Sequence, residues 1–388
     1  MSLDRLIYAK KCILPSKAAH VLQSLNMAYS FAGHGLRTTI WPGFKHRNHL
    51  GFKQALELDY GLEPSSTLEM VPLPGCQKGL YGLGFRIHLF KAWISSPQGT
   101  VFYARDITEA LILARFKRFL QVRHPVFYEL HELLGEQHKI LNSGRAERFA
   151  RVEAEVLARV DGVVCISPVL VDELVEVHGY SGPVQVAPMG FNPRIFKAVP
   201  DVDFAGLITI AYVGSLYEGK GIHNLVRAMG RLPDRFRLLV VGGNPEHELK
   251  RLKDFVSEMR LDSHRIEFCG HLPQKDIFSR LESCSMMVIP QMSETEFFSP
   301  LKLYEAIGMG LPLVVTPIPA LTSVLEHEVD AIVARSPAPE DLAAAMVDMA
   351  TNQERARQMQ CRCRDRSALS TWRARAELCL NFMRSVVG

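Results

Sequence analysis

The chain has 388 residues, 47% of them apolar and 22% charged, with a net charge of +4. That length suits two or three domains, each with its own core, and the composition is that of an ordinary globular protein. No apolar run approaches the ~18 residues that a membrane span needs. The start, MSLDRLIYAK, has no apolar centre of the signal-peptide kind. The eight cysteines show neither metal-ligand nor redox spacing. Cys12, Cys165 and Cys269 sit in strand-like apolar runs, where reduced cysteine acts as a small hydrophobe. Together these features predict a protein of the reducing cytoplasm.

The small net charge hides an asymmetry. Residues 1–128 hold 16 Lys/Arg against 7 Asp/Glu, a net +9, and residues 129–388 a net −5. The basic part includes FKHRNHLGFK (44–53) and RFKRFLQVRH (115–124). It suits an anionic lipid surface or an anionic acceptor, or else it is a solvated surface of uneven charge.

Taken in chain order, strands alternate with helices, the pattern of parallel sheets flanked by helices. RLIYAKKCIL (5–14), TTIW (38–41), TVFYA (100–104), PVFYEL (125–130), GVVCI (162–166) and VQVA (184–187) read as strands. AAHVLQSLNMAYSFAGHG (18–35), ITEALILARFKRFL (107–120) and AERFARVEAEVLARV (146–160) read as helices; residues 43–98 are the least regular. A stretch with several prolines, APMGFNPRIFKAVPDVDF (187–204), then interrupts the pattern. Six more strands follow, from LITIAYV (207–213) to AIVA (331–334). The organisation predicted is a first domain over 1–190, a linker over 191–206, a second domain over 207–368, and a C-terminal helix within 369–388 that packs back on the first domain.

Chemistry concentrates at two helix starts of the second half. In SPLKLYEAIGMGLPLVV (299–315), Ser299 is an N-cap and Pro300 the first helical residue. The third helical position is Lys302, where a capping box would place Glu or Gln. A cation there opposes the helix dipole by roughly 0.3–1 kcal/mol if exposed. In AYVGSLYEGKGIHNLVRAM (211–229), Lys220 lies between Gly219 and Gly221 at a second helix start. Two such lysines are unfavourable in an empty protein and favourable around a diphosphate, whose oxygens also take the helix-start amides. The alternative is two solvated lysines with snorkelling stems. Glu305, three residues after Lys302, reads either as an intrahelical ion-pair partner or as an acceptor of ribose hydroxyls. On this reading Lys302→Glu completes a capping box, and a melting temperature equal to or above wild type is expected of it.

These segments resemble the donor site of glycosyltransferase family 4, retaining enzymes of the GT-B fold. YVGSLYEGKG…LVRAM is similar to the family's strand, loop and helix with a diphosphate-binding lysine. SPLKLYEAIGMGLPLVV is similar to its signature helix and following strand. RVDGVVCISPVLVDELVEVHG…VQVAPMGFNPRIF resembles the close of its first domain, and PSKAAHVLQSLNMAYSFAGHG its first helix. The order and spacing of the four carry the resemblance. Two positions depart from it. Ser215 stands where the family usually has arginine. Phe297 stands where it usually has a second glutamate, with Glu296 beside it and Glu294 nearby. The result is an SP-x-K version of the helix in place of the paired-glutamate motif.

The resemblance implies an α/β GT-B fold, two Rossmann-like domains with parallel sheets facing across a cleft. It also implies metal-independent transfer of a hexose-type sugar from a nucleoside diphosphate-sugar, the co-substrate, to an acceptor hydroxyl in glycan, polysaccharide or glycolipid synthesis. No other cofactor, no metal and no nucleic acid is expected. His131, after the strand PVFYEL, together with Lys220, Lys302 and Glu296, forms the expected catalytic set. Gly214, Ser215, Gly219, Lys220, Gly270, His271, Leu272, Ser299, Pro300, Leu301, Lys302 and Glu305 form the donor set. Ser16, Lys17 and Arg105 are acceptor-side candidates, and Asp106 ends the same strand as Arg105. Asp201 and Asp203 have the spacing of a metal pair but lie in the proline stretch, and a metal role is rejected. A silent nucleotide-sugar or glycan-binding module and a sugar-nucleotide epimerase of the same fold are the competing readings. The expected location is the cytoplasm, with peripheral contact of the basic first domain with the inner face of an anionic membrane.

Overall fold

The computed structural model describes residues 3–16, 18–44, 56–57, 60–63, 65–73, 80–243, 246–292 and 301–388. The chain divides into two compact units, Met1–Met189 with Trp372–Gly388, and Gly190–Thr371.

The first unit holds seven parallel strands: β1 (Arg5–Ala9), β2 (Arg37–Ile40), β3 (Leu68–Met70), β4 (Val101–Ala104), β5 (Val126–Leu130), β6 (Gly162–Cys165) and β7 (Val184–Val186). Their order is β3-β2-β1-β4-β5-β6-β7. Strands β4, β5 and β6 are buried along their whole length, as expected of strands covered on both faces. The covering helices are α1 (Ala19–Gly33), α2 (Tyr81–Ser95), α3 (Ile107–Phe119), α4 (Leu134–Ile140), α5 (Ala146–Leu157) and α6 (Pro168–His178). Tyr8, Phe31 and Tyr103 pack ring on ring at 5.3–6.4 Å between centroids. The run RLIYAKKCIL breaks at Lys10, and its end, Ile13–Leu14, pairs with Gly43–Phe44 in a separate short ribbon.

The second unit repeats the plan with β8 (Ile208–Val213), β9 (Phe236–Val241), β10 (Ile266–Gly270), β11 (Met286–Ile289), β12 (Leu313–Val315) and β13 (Ile332–Val333), ordered β10-β9-β8-β11-β12-β13. Its helices are α7 (Ile222–Met229), α8 (Glu246–Glu258), α9 (Gln274–Leu281), α10 (Leu301–Met309), α11 (Pro319–Thr322), α12 (Pro339–Thr351) and α13 (Gln353–Ser367). In each sheet the third, second, first and fourth strands lie side by side. Both therefore reverse direction of growth between their first and fourth strands, the switch point where ligands collect in such sheets.

Residues 191–206 are not a free linker. Val202 and Phe204 belong to the second unit's core. Side-chain amides of α13 satisfy the backbone there: Val202 N–H donates to Gln360 Oε1 at 2.9 Å, and Phe204 N–H to Gln353 Oε1 at 3.0 Å. Prolines 193 and 200 break regular structure without preventing burial, because these amides replace ladder partners. Asp201 pairs with Arg364 at 2.8 Å. The last helix, α14 (Trp372–Val387), belongs to the first unit. It packs on α1 and β6, and its Phe382 ring lies where a Cβ on Gly162 would come within 2.7 Å.

Candidate functional site

In the second unit the carboxyl ends of β8 to β11 converge through main-chain contacts. Gly214 N–H donates to Val241 O at 3.0 Å and Gly242 N–H to Gly270 O at 2.9 Å. After β8 the chain turns through a short 3₁₀ segment, Glu218–Lys220, and Gly221 starts α7 with φ of 72°. A Cβ on Gly221 would stand 1.7 Å from Pro290 O. Only glycine fits so close to the end of β11. Met292 N–H also donates to Gly219 O at 3.1 Å. The Lys220 turn is thus pinned against the strand across the switch point. Lys220 is half-buried, with its ammonium 5.8 Å from the Tyr217 ring centre. Ser215 is exposed, and its carbonyl accepts from Tyr212 Oη at 2.5 Å.

Lys302 lies in the first turn of α10, and Leu301 begins that helix. Lys302 Nζ donates to Glu305 Oε2 at 2.7 Å, with the lysine side chain 25% exposed and the glutamate 1%. Glu305 Oε1 accepts from Gln274 Nε2 at 3.1 Å. The lysine therefore neutralises a buried carboxylate one turn further on. This reverses the sign of the stability effect expected for Lys302→Glu. Gln274, at the start of α9, follows Gly270, His271 and Leu272; its Oε1 is buried and has no partner among the described residues. Gln274 thus joins the Lys302–Glu305 pair through its amide nitrogen, and it was not found from the sequence. A glutamine just after a strand-end Gly-His-Leu-Pro is the signal that could have found it.

In the first unit a polar network crowns the carboxyl ends of β1, β4 and β5, again at the switch point. Lys10, directly after β1, is buried and ion-paired with Asp106. Arg105, after β4, donates from Nη1 to Asp106 Oδ1 at 2.8 Å and from Nε to Gln23 Oε1 at 2.7 Å. Glu129, the one charged residue of β5, is fully buried. It accepts from Tyr103 Oη at 2.5 Å, from Gln23 Nε2, and from Arg375 Nη2 of α14 at 2.9 Å. Arg375 also donates from Nε to Ala187 O at 3.0 Å. The pairing and hydrogen bonds hold the Glu129 carboxyl far below the usual carboxylate range, although burial alone would raise it.

His131 joins this network. Its Nε2 lies 2.7 Å from Glu129 Oε1, and its Nδ1 lies 3.5 Å from Arg105 Nη2. These partners call for the neutral Nε2–H tautomer, with the Nδ1 lone pair toward the guanidinium. Burial, then the Arg105 charge, lowers its pKa to about 4 against the pull of Glu129. A stability effect follows. The unfolded chain takes up the proton near pH 6.5 and the folded chain only near 4, so protonation between them favours unfolding. Across that window His131 costs the native state roughly 2–3 kcal/mol relative to pH 7. His131→Gln removes the titration, so its stability relative to wild type should rise as pH falls from about 6.5 to about 4. Denaturant unfolding of both proteins across that range checks this; a difference flat with pH would show an ordinary histidine.

Other expected residues fall as follows. Ser16 sits in a turn clamped by Tyr60: its N–H donates to Tyr60 Oη at 2.8 Å, and its Oγ accepts from Ala18 N–H at 3.2 Å. Lys17, Glu294, Glu296, Phe297, Ser299 and Pro300 lie outside the described residues. Lys10, Gln23, Glu129 and Arg375 were not found from the sequence. A lone glutamate inside VFYEL was the available signal for Glu129. For Arg375 the signal was its place on the face carrying Trp372, Ala376, Cys379 and Met383. Among the described residues no group of three or more His, Cys, Asp or Glu could hold a metal, and no helix is long and apolar enough to cross a membrane.

The family described as "Glycosyl transferases group 1" matches residues 208–352, and the "Glycosyl transferase 4-like domain" family matches residues 56–190. An uncharacterised glycosyltransferase of Methanocaldococcus jannaschii is 29% identical over 127 residues, 32% of this chain and 30% of that protein. The chain thus matches about a third of that relative's length. A sucrose-phosphate synthase from Thermosynechococcus elongatus has a similar structure, with TM-score 0.77, 20% identity and 99% of each chain covered. Anabaena HepE in complex with UDP-glucose gives TM-score 0.72 and 16% identity, over 98% of this chain and 99% of that one. The fold is GT-B, two α/β domains with parallel sheets. The family matches over both units support glycosyl transfer by a family-4-like chain.

Proposed function

We propose that this family-4-like glycosyltransferase moves a hexose-type sugar from a nucleoside diphosphate to an acceptor hydroxyl, without a metal and with the anomeric configuration retained. The observation that carries the reading is the second unit's switch point. There a glycine turn bearing Lys220 is pinned against the end of β11, the strand that precedes α10 in the chain, and α10 carries Lys302 in its first turn. Cations and helix-start amides at such a crevice suit a diphosphate. UDP and UDP-glucose bound to HepE support a nucleotide-sugar donor.

In the reaction the acceptor oxygen forms a bond to the anomeric carbon as the bond from that carbon to the diphosphate breaks. The acceptor's proton passes to a diphosphate oxygen on the attacked face. Lys220, Lys302 and the Leu301 amide stabilise the charge that grows on the leaving group. His131, neutral and opposed by Arg105, is a weak base, so it orients the sugar rather than removing the proton. Gly270, His271 and Leu272 line the base, and Gln274 Oε1 accepts from it or from the ribose. Gly214, Ser215 and Gly219 give the diphosphate close backbone approach. Ser299, Pro300 and Glu296 complete the donor side, and Ser16, Lys17 and Arg105 the acceptor side. The acceptor is a glycan or glycolipid hydroxyl at the cytoplasmic face of a membrane.

Glu305 binds the ribose hydroxyls once the diphosphate draws Lys302 away from its carboxylate. Glu305→Gln should weaken nucleoside diphosphate binding by about 1.5–3 kcal/mol, because a hydrogen bond to a charged acceptor is lost. A 2′,3′-dideoxy analogue should cost wild type a similar amount and the variant little more. Calorimetric titration of both proteins with both ligands checks this; wild-type affinity in the variant would remove Glu305 from the site. Ser215 keeps a silent binding module as the second reading. Turnover of labelled donor to glycoside or free sugar decides against it.

A further inference from the structure

Helix α2 carries two apolar stripes. Tyr81, Phe85, Leu89 and Trp93, four residues apart, are buried in the first unit. Leu83, Ile87, Phe90 and Ile94 form the other, and they are 59%, 44%, 42% and 50% exposed. A surface helix is expected to turn polar residues to water. Here large aliphatic and aromatic side chains recur on the outer face at helical spacing. The face continues onto α3, where Phe90 packs edge-on against Phe116 with ring centres 5.7 Å apart. Phe119, 69% exposed, extends it, with the Arg118 guanidinium 4.9 Å from its ring centre. A shallow groove between α2 and α3 runs between these side chains.

The charge around it is mostly positive. Residues 80–124 hold seven Lys/Arg and two Asp/Glu. Arg86, Lys91, Arg118 and Arg123 are exposed, and no described carboxylate pairs with any of them. Arg115 and Lys117 do have partners, Glu155 and Asp161. Helix α2 itself has no acidic residue. Large apolar side chains clustered on one exposed face mark an interaction site. A second copy would bring the same basic rim against itself, which disfavours a symmetric dimer. An anionic bilayer offers hydrocarbon to the apolar stripe and negative headgroups to the rim.

We propose that the α2–α3 face docks the first unit on an anionic lipid surface, with Leu83, Ile87, Phe90 and Ile94 inserted at the headgroup level. Helix α3 starts at Ile107, one residue after Asp106, so the docked face begins beside the Lys10–Arg105–Asp106 cluster. A hydroxyl carried on a lipid would then reach that cluster without leaving the membrane. The surface extends the proposed function on its acceptor side; it rests on that reading for its purpose and not for its chemistry.

The test is co-sedimentation of the full chain with vesicles of phosphatidylglycerol and phosphatidylcholine, and of phosphatidylcholine alone. Wild type should partition to the anionic vesicles at least tenfold better than to the neutral ones, and lose that preference steeply as salt rises. Ile87→Glu with Phe90→Glu should abolish binding, and Arg86→Glu with Lys91→Glu should weaken it at least tenfold. Both replace exposed residues, and an unchanged melting temperature and nucleoside diphosphate affinity would show that both units remain folded. Equal recovery with neutral vesicles overturns the proposal, as does wild-type binding by the double variants. So does a dimer in sedimentation velocity that these substitutions dissolve, since a second copy would then cover the face. Because nucleoside diphosphate binding is measured separately, failure on vesicles and failure of the donor reading are distinguishable.

Discussion

Arg375→Met is expected to lower the stability of the first unit by roughly 3–5 kcal/mol. Both partners of the Arg375–Glu129 pair are buried, with side chains 2% and 0% exposed. Methionine fills much of the arginine's volume but leaves the Glu129 charge inside the unit without its cation. Tyr103, Gln23 and His131 still contact the carboxylate, yet only His131 could supply positive charge, and burial with Arg105 keeps it neutral. For a unit of about 200 residues the loss corresponds to a fall in melting temperature of roughly 6–20 °C.

The pH dependence of that deficit identifies its cause. In wild type the Glu129 carboxyl is held below its unfolded value, so its contribution is present above the unfolded pKa and fades as pH falls through the folded one. In the variant, burial without a cation raises the same carboxyl above its unfolded value. Protonation then relieves the variant first, and the gap to wild type should narrow as pH falls from about 7 toward 4. Thermal unfolding of both proteins at several pH values measures it. A variant melting within about 2 °C of wild type would show that the pair carries little of the unit's stability.

The contrast between what the sequence reveals and what it conceals has a physical basis. Parallel strands buried on both faces are short apolar runs, and VFYA, GVVC and ITIAYV stand out as such. Their order in the sheet adds no local signal. Helix α2 escapes because apolar residues circle it, so no single stripe marks a period. That concealed helix is also the one with the exposed stripe, so the same property that hides it from periodicity gives it an interaction face. Residues 191–206 read as a linker because proline is the strongest local breaker; the glutamines that hold the stretch lie some 150 residues away on α13. Glu129 and Arg375 are separated by 246 positions, and no spacing rule joins them. In the second unit Lys220 and Lys302 stand out in the sequence because a cation at a helix start breaks a local rule; the structure gives Lys302 a partner in Glu305, and the donor role of both is the proposal made above. Strain or misplaced charge at an element's end points to function when the rest of the sequence is locally consistent.

Lys302→Glu is expected to lose stability and donor binding together. From the sequence alone a glutamate there completes a capping box and suits the dipole, which predicts a stable variant. The structure adds a term that outweighs both. Lys302 is 2.7 Å from a carboxylate that is 1% exposed. Exchanging it for glutamate replaces that attraction by repulsion, against a gain of at most ~1 kcal/mol from dipole and cap. Breaking a buried pair costs about 3–5 kcal/mol; with the lysine a quarter exposed, roughly 2–4 is expected. One of the two carboxyls should then titrate above its unfolded value, so the deficit should shrink as pH falls toward 5. Lys302→Gln, which removes attraction without adding repulsion, should lie between the two. Binding separates the site from the scaffold. If the ammonium also meets the donor diphosphate, the glutamine variant should bind nucleoside diphosphate about 10–100-fold more weakly, and the glutamate variant not measurably. Melting and titration of the three proteins give both readings. Equal melting of wild type and the glutamate variant would mean that Lys302 does not stabilise Glu305. Wild-type nucleoside diphosphate affinity in the glutamine variant would place the lysine outside the donor site, and the cation in the first turn of α10 would then answer only to the buried carboxylate beneath it.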